Sequence, residues 1–327
     1  MNILINDYCN LKCPYCFAED VMESARCNPM RSMSMDNFNK VLDFAYESGQ
    51  KTVRILGGEP TLHPQFKEII TKCLEDNRFD GIMLFSNCVF EEDTLNFLIE
   101  SNKKKHIGLL PNCNEKEVIG EKRYNLMVNN IKALSQNGIV DTVGINIYKS
   151  DMDVQYIFDI AKEVGAKTIR WSITVPNKPI DNNFDVIAYF KDFGPLLEVF
   201  LTKIRSYNLK SGIDCNKIPL CAFDDDTYQK LVMLSPKDFN LFACKPIIDI
   251  KPDLTAIRCF GMSEHCHVKV SDVKNTQELS KIFDAYFEEH TKKELIPQCQ
   301  NCITYKRSGN KSCGCIKYRD KEENNAN

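Results

Sequence analysis

"NILINDYCNLKCPYC", residues 2–16, runs a short apolar segment straight into three cysteines. Cys9, Cys13 and Cys16 stand at the spacing C-x3-C-x2-C. The segment "NILIND" (2–7) predicts a strand, so the cysteines fall on the loop that follows it. A structural zinc site takes four protein ligands, and so does a closed cubane iron–sulfur cluster. Three thiolates can hold three irons of a [4Fe–4S] cubane and leave the fourth iron open, as catalytic metals generally are. A substrate or cosubstrate would fill that position. The residues alone also admit three ordinary cysteines, or part of a zinc site completed from elsewhere in the chain.

Outward from this stretch, apolar runs and helical patterns alternate. "TVRILGG" (52–58), "GIMLFSN" (81–87), "HIGLLPN" (106–112), "TVGINIY" (142–148) and "KTIRWSITV" (167–175) predict strands. Helical patterns occupy 34–49, with Ser34 as N-cap and Gly49 as stop, then 63–76, 92–102, 124–138, 154–165 and 193–207. Six βα units imply an α/β protein with a parallel sheet and right-handed crossovers. The sheet is either open and doubly wound or an incomplete (β/α) barrel, and both gather ligands at the C-terminal strand ends. The cysteine triplet, "GGEP" (57–60), "SNC" (86–88) and "PNC" (111–113) all land there.

The chain has 327 residues, with 42 basic and 45 acidic side chains and a net charge of −3. No basic stripe points to nucleic acid. No apolar run approaches the roughly 18 residues of a membrane helix, and the N-terminus lacks a signal-peptide pattern, so the expected location is the cytoplasm. Sixteen cysteines in a reducing compartment read as metal or cluster ligands rather than disulfides. Nine of them lie in 215–315, where the periodic pattern gives way to irregular sequence that metal would have to hold together. The expected division is a core at 1–207, a cysteine-rich domain at 208–318 and a polar, disordered tail at 319–327.

The C-x3-C-x2-C loop after the first strand, with aromatic Tyr15 before the third cysteine, resembles the radical S-adenosylmethionine (radical SAM) superfamily. "LGGEPTLHP" (56–64) is similar to that family's glycine-rich motif after the second strand. The resemblance covers roughly residues 1–200 and implies a partial (β/α)6 TIM-like barrel. It implies that Cys9, Cys13 and Cys16 hold a [4Fe–4S] cluster whose open iron chelates S-adenosylmethionine. One electron then cleaves the sulfonium, and a 5′-deoxyadenosyl radical abstracts hydrogen from the substrate. Tyr15 would face the base. Gly57 and Gly58 permit close backbone approach. With Glu59 they could bond the methionine ammonium, while Pro60 fixes the turn. "FSNC" (85–88) resembles the family's "TNG", with Cys88 where glycine is usual and Asn87 as a candidate ribose contact. Asn146, Arg170 and Ser172 lie on strands that often contact the cosubstrate's ribose or carboxylate.

"FACKPIIDIKPDLTAIRCFG" (242–261) is similar to the auxiliary-cluster motif of SPASM and twitch domains in this superfamily, with Leu254 where glycine is usual. Cys244, Cys259, Cys299 and Cys302 make the expected auxiliary [4Fe–4S] set. Cys215, Cys221, Cys313 and Cys315 could furnish a second, so one or two auxiliary clusters are expected, with zinc as the alternative metal. Cys73 reads as a small buried hydrophobe. Cys27, Cys88 and Cys113 fall near the active face, and His265 and His267 flank Cys266.

The resemblance implies a radical SAM enzyme that modifies a ribosomal peptide and draws electrons from a donor such as flavodoxin or ferredoxin. The first strand begins at residue 2, which leaves no leader-recognition domain ahead of it and calls for a separate peptide-binding partner. Oxidation or rearrangement of a small molecule is the second reading. A non-catalytic metal-binding scaffold is the third.

Overall fold

The computed structural model describes residues 1–16, 18, 31–175, 185–214, 218–239, 246–264, 266–293, 302 and 306. Their contacts form two compact units. One is Met1–Gly144, Asp159–Lys167 and Ile247–Ile282; the other is Ile145–Phe158, Thr168–Pro246 and Phe283–Asn327.

In the first unit β1 (Asn2–Leu4), β2 (Thr52–Leu56), β3 (Gly81–Ser86) and β4 (His106–Pro111) run parallel in that order. Register runs Ile3 to Ile55, Thr52 to Gly81, and Gly81 to His106. The strands are rich in Ile, Leu and Val because helices cover the sheet. α1 (Met35–Glu47), α2 (Phe66–Glu75), α3 (Glu92–Asn102), the short α4 (Lys116–Ile119) and α5 (Glu121–Gln136) supply that cover. α1 shows why such sequence is helical. Ser34 caps it by accepting from the Asn37 N–H at 3.2 Å, and Gly49 at φ +73° ends it. Phe38, Val41, Leu42 and Ala45 recur at helical spacing and are buried. α2 packs on β3 and α3 on β4. A bridge from Asn112 to Gly144 carries the parallel order on to the start of β5 (Thr142–Ile147).

In the second unit β6 (Thr168–Ile173) pairs in parallel with β7 (Lys210–Ile213), in the order β5-β6-β7. α6 (Gln155–Val164) precedes β6, and α7 (Val186–Lys191) and α8 (Gly194–Ser206) precede β7. Trp171, fully buried, sets this core: its ring meets Phe200 edge-on at 5.6 Å and its Nε1 donates to Ser211 Oγ at 2.8 Å. β7, α9 (Asp225–Leu234) and α10 (Pro236–Phe239) occupy sequence read as irregular, which corrects that reading. β7 is only four residues with two polar positions and a glycine, too short to show a period.

Within the region expected to form the cysteine-rich domain, the strands between residues 249 and 269 share the first unit's sheet. β8 (Asp249–Ile250) lies parallel beside β1, and β9 (Thr255–Ile257) and β10 (His267–Lys269) follow antiparallel. The join is specific. Asn2 Nδ2 donates to the buried Asp249 carboxylate at 2.7 Å, and Asn37 Nδ2 donates to the Pro252 carbonyl at 3.0 Å. Leu254 takes φ +64° in the β8–β9 turn, so leucine adopts the left-handed conformation where the motif has glycine. The turn closes regardless, with the Leu254 N–H on the Lys251 carbonyl and the Lys251 N–H on the Thr255 carbonyl, both at 2.9 Å. α11 (Thr276–Lys293) ends the described helices. Among the described residues no helix is long and apolar enough to cross a membrane. The tail at 319–327 lies outside the described residues.

Candidate active site

The site is built on the C-terminal ends of β1 to β4. After β1 the chain stays buried through Ile5, Asn6 and Asp7, then turns outward at Tyr8 into the cysteine loop. Two backbone bonds lock this exit to the loop after β2: the Gly58 N–H donates to the Asn6 carbonyl at 3.1 Å, and the Glu59 N–H to the Tyr8 carbonyl at 2.8 Å. Asn6 Nδ2 adds a bond to the Glu59 carbonyl at 2.8 Å. A Cβ on Gly57 would stand 2.1 Å from Asn6 Oδ1, so glycine there makes room for Asn6. Gly57 and Gly58 themselves are half-exposed beside the cysteine loop.

Glu59 is fully buried and its carboxylate is already occupied. Oε1 accepts from the Thr61 N–H at 3.1 Å, the Thr61 hydroxyl at 2.7 Å and the Ser86 hydroxyl at 2.9 Å; Oε2 accepts from the Asn87 N–H at 2.8 Å. Burial raises its pKa while these donors lower it. Glu59 thereby ties the loop after β2 to the end of β3 and caps the turn Pro60–Leu62, in which Pro60 is buried. What the turn offers a ligand is backbone.

All three thiols of the triplet are partly accessible. The Cys16 N–H donates to the Cys13 carbonyl at 3.1 Å, which closes the loop between them. Cys9 Sγ accepts from the Leu11 N–H at 3.4 Å and from Asn87 Nδ2 at 3.5 Å. Burial pushes the Cys9 thiol up to about 11 and the Cys13 thiol up to about 12, and the neighbouring cysteines raise both further. All three thiols are carried on one short loop, residues 9–16. Metal binding there has to displace protons. The Tyr15 hydroxyl donates to Asn114 Oδ1 and accepts from Asn112 Nδ2 at 3.1 Å; the Cys13 thiol faces the same Asn114 oxygen at 3.3 Å. The end of β4 therefore grips the cysteine loop through Tyr15 and Cys13. Sequence reading singled out only Cys113 in "PNCN" (111–114) and missed Asn112 and Asn114. Their place just past a strand on the ligand-binding face was the available signal.

Cys88 and Cys113 are buried behind this loop, and burial raises both thiols, Cys113 to about 12. Cys88 stands at φ +58°, which explains glycine as the usual residue at that position. Cys73 is buried on α2, in keeping with its reading as a small apolar side chain.

Asn146, Arg170 and Ser172 belong to the second unit. The Ser172 hydroxyl donates to Asn146 Oδ1 at 2.8 Å, and Arg170 pairs with Asp214. Of the auxiliary set, Cys259 lies just past Arg258 after β9 and is partly exposed, Cys221 is exposed and Cys302 is partly exposed. Cys215, Cys244, Cys299, Cys313 and Cys315 lie outside the described residues, as do Cys27 and His265. Cys266 is buried and His267 is exposed, with Nδ1 3.0 Å from the Ser263 carbonyl. Among the described residues no three His, Cys, Asp or Glu side chains are grouped as for a single metal ion. The donors do fit a cluster: three soft thiols on one short loop, at the ends of parallel strands, with N–H groups on the Cys9 sulfur.

The sequence profile of the Radical SAM superfamily matches residues 3–159. The antilisterial bacteriocin subtilosin biosynthesis protein AlbA of Bacillus subtilis is 22% identical over 333 residues, covering 93% of this chain and 66% of AlbA. A probable GTP 3′,8-cyclase of Methanocaldococcus jannaschii is 25% identical over 266 residues, covering 81% of this chain and 78% of that protein. Among solved structures, Streptococcus suis SuiB bound to precursor peptide SuiA superposes with a TM-score of 0.57 at 16% identity. The superposition covers 83% of this chain and 62% of SuiB, a likeness of fold. This chain therefore spans about two thirds of AlbA and less of SuiB. The parallel strands and the cysteine loop at their C-terminal ends thus lie in the segment, residues 3–159, that matches the Radical SAM superfamily, just under half of this chain.

Proposed function

We propose that this chain is a radical SAM enzyme that modifies a ribosomally made peptide. The observation that carries the chemistry is the Cys9–Cys13–Cys16 loop, held at Tyr8 by the Glu59 N–H, at Cys9 by the Asn87 amide and at Cys13 by Asn114. When bound there, a [4Fe–4S] cluster supplies the electron that cleaves S-adenosylmethionine and so generates the hydrogen-abstracting radical. Cys9, Cys13 and Cys16 would hold it. Leu11 and Asn87 direct N–H groups at the Cys9 sulfur, and Tyr15 with Asn112 and Asn114 fixes the loop's shape. With the Gly58 N–H committed to the Asn6 carbonyl, the half-exposed Gly57 and Gly58 carbonyls are the backbone groups proposed to accept from the cosubstrate's methionine ammonium. The buried Asn87, expected from sequence to contact the ribose, has its side-chain amide engaged by Val89, Asn10 and Cys9; Asn146, Arg170 and Ser172 are the cosubstrate contacts that extend this proposal.

Peptide as substrate is supported by the match to AlbA along nearly the whole chain and by the fold shared with SuiB. Cys244, Cys259, Cys299 and Cys302 are proposed to hold an auxiliary cluster, with Cys215, Cys221, Cys313 and Cys315 for a second. The β8–β9 hairpin, bonded to β1 through Asn2 and Asp249, carries Cys259. A flavodoxin or ferredoxin is the proposed electron donor. The match to a GTP 3′,8-cyclase over most of its length favours a small molecule as the second reading. Incubating the reduced protein and S-adenosylmethionine with candidate precursor peptides and, separately, with GTP separates the two. A mass change confined to peptide supports the proposal; turnover of GTP alone overturns it.

A further inference from the structure

Asn87 sits where its amide has one available orientation. Its backbone N–H is held by Glu59 Oε2 at 2.8 Å, and its Oδ1 accepts from the Val89 N–H at 2.8 Å. With the oxygen committed, the two Nδ2 hydrogens point to the cysteine loop, one to Asn10 Oδ1 at 2.8 Å and one to Cys9 Sγ at 3.5 Å. Asn10 is fixed in turn, because its own Nδ2 donates to the Val89 carbonyl at 2.7 Å. Rotating the Asn87 amide by half a turn would set its NH2 against the Val89 N–H and its oxygen against Asn10 Oδ1. The sulfur thus faces a donor that cannot turn away.

We propose that Asn87 is a positioning residue that aims an N–H at the Cys9 sulfur and raises the reduction potential of the cluster that Cys9 ligates. This rests on the reading of Cys9, Cys13 and Cys16 as cluster ligands. Reduction adds negative charge to the cluster and its thiolates. A donor fixed on the sulfur stabilises the reduced form more than the oxidised form. The Leu11 N–H on the same sulfur is backbone and stays in any variant, so the Asn87 share can be removed alone.

The test compares reconstituted wild type, Asn87→Ala, Asn87→Asp and Asn87→Gln by iron content and by redox titration followed by electron paramagnetic resonance. The signal followed is the one that responds to S-adenosylmethionine and is missing from Cys13→Ala. Asn87→Ala is expected to load iron and to shift the one-electron equilibrium toward the oxidised form by about tenfold, or about 59 mV. Asn87→Asp, which puts an anion beside the sulfur, is expected to shift it further. Loaded variants with the wild-type midpoint would overturn the proposal. Should Asn87→Ala and Asn87→Asp fail to load, iron held by Asn87→Gln supports the need for a donor. Failure of Asn87→Gln as well, with circular dichroism unchanged, overturns the tuning role. A wild type that takes up no iron removes the cluster reading itself.

Discussion

Replacing Gly57 by alanine tests the packing that shapes the site. The new Cβ would meet Asn6 Oδ1 at 2.1 Å and the Asn6 carbonyl oxygen at 3.2 Å. The first distance is untenable, so the Asn6 amide must swing and release its bond to the Glu59 carbonyl. Asn6 Oδ1 is buried without a hydrogen-bond partner, so the Nδ2 bond is what holds the amide in place. Breaking a buried hydrogen bond and stranding its partners costs about 1–3 kcal/mol. The residual crowding against backbone adds about 1 kcal/mol. Gly57→Ala should therefore destabilise the protein by about 2–4 kcal/mol in urea unfolding followed by far-ultraviolet circular dichroism. In an Asn6→Ala background the clash is gone, and Gly57→Ala should cost less than about 1 kcal/mol, a coupling of roughly 1–3 kcal/mol. Equal cost in both backgrounds would show that Asn6 does not dictate the glycine.

Leu254→Gly should stabilise by up to about 1 kcal/mol by relieving φ +64°, partly offset by the freer unfolded chain; a lowered urea midpoint would contradict this. In protein stripped of metal at pH 8, exposed Cys221 should be alkylated before Cys9 and Cys13. The rates at Cys9 and Cys13 should climb with pH until it reaches about 11 and about 12, as peptide mapping after timed alkylation would show. Tyr15→Phe leaves Asn112 and Asn114 short of a partner, so a chelator should strip iron several-fold faster than from wild type; equal rates would exclude the clamp. Hydrogen bonds from Arg78 hold the Asp76 carboxyl below its ordinary range. Their stabilisation is complete above that range and is lost as pH falls through the lowered value. The stability gap between wild type and Asp76→Asn should therefore shrink from pH 7 to about pH 3, and a constant gap would refute the assignment.

The parallel core was legible because each of its strands is an apolar run bounded by loop residues, and each helix presents a clear stripe. Residues 92–102 match α3 to the residue, and Ser34 caps α1 as read. The triplet and "GGEP" were legible because metal ligation and close backbone approach restrict residue types at fixed spacing. Asn112 and Asn114 were not, because asparagine past a strand end looks like any loop until the partner loop is seen beside it. Pairing of β8 with β1 was also hidden. It joins residues about 250 apart through a two-residue strand, and no local period records such a contact. The left-handed backbone at Cys88 and Leu254 ran against propensity, which favours glycine there.

The most direct measurement is anaerobic reconstitution with iron and sulfide, followed by reduction in the presence of S-adenosylmethionine. Wild type and Cys13→Ala are compared for iron per chain and for 5′-deoxyadenosine. At four irons per cluster, the expected result is about eight or twelve irons in wild type, for one or two auxiliary clusters, with 5′-deoxyadenosine lost in Cys13→Ala. Zinc retained in place of iron, with no 5′-deoxyadenosine under any reductant, would contradict the radical mechanism and leave a metal-binding scaffold.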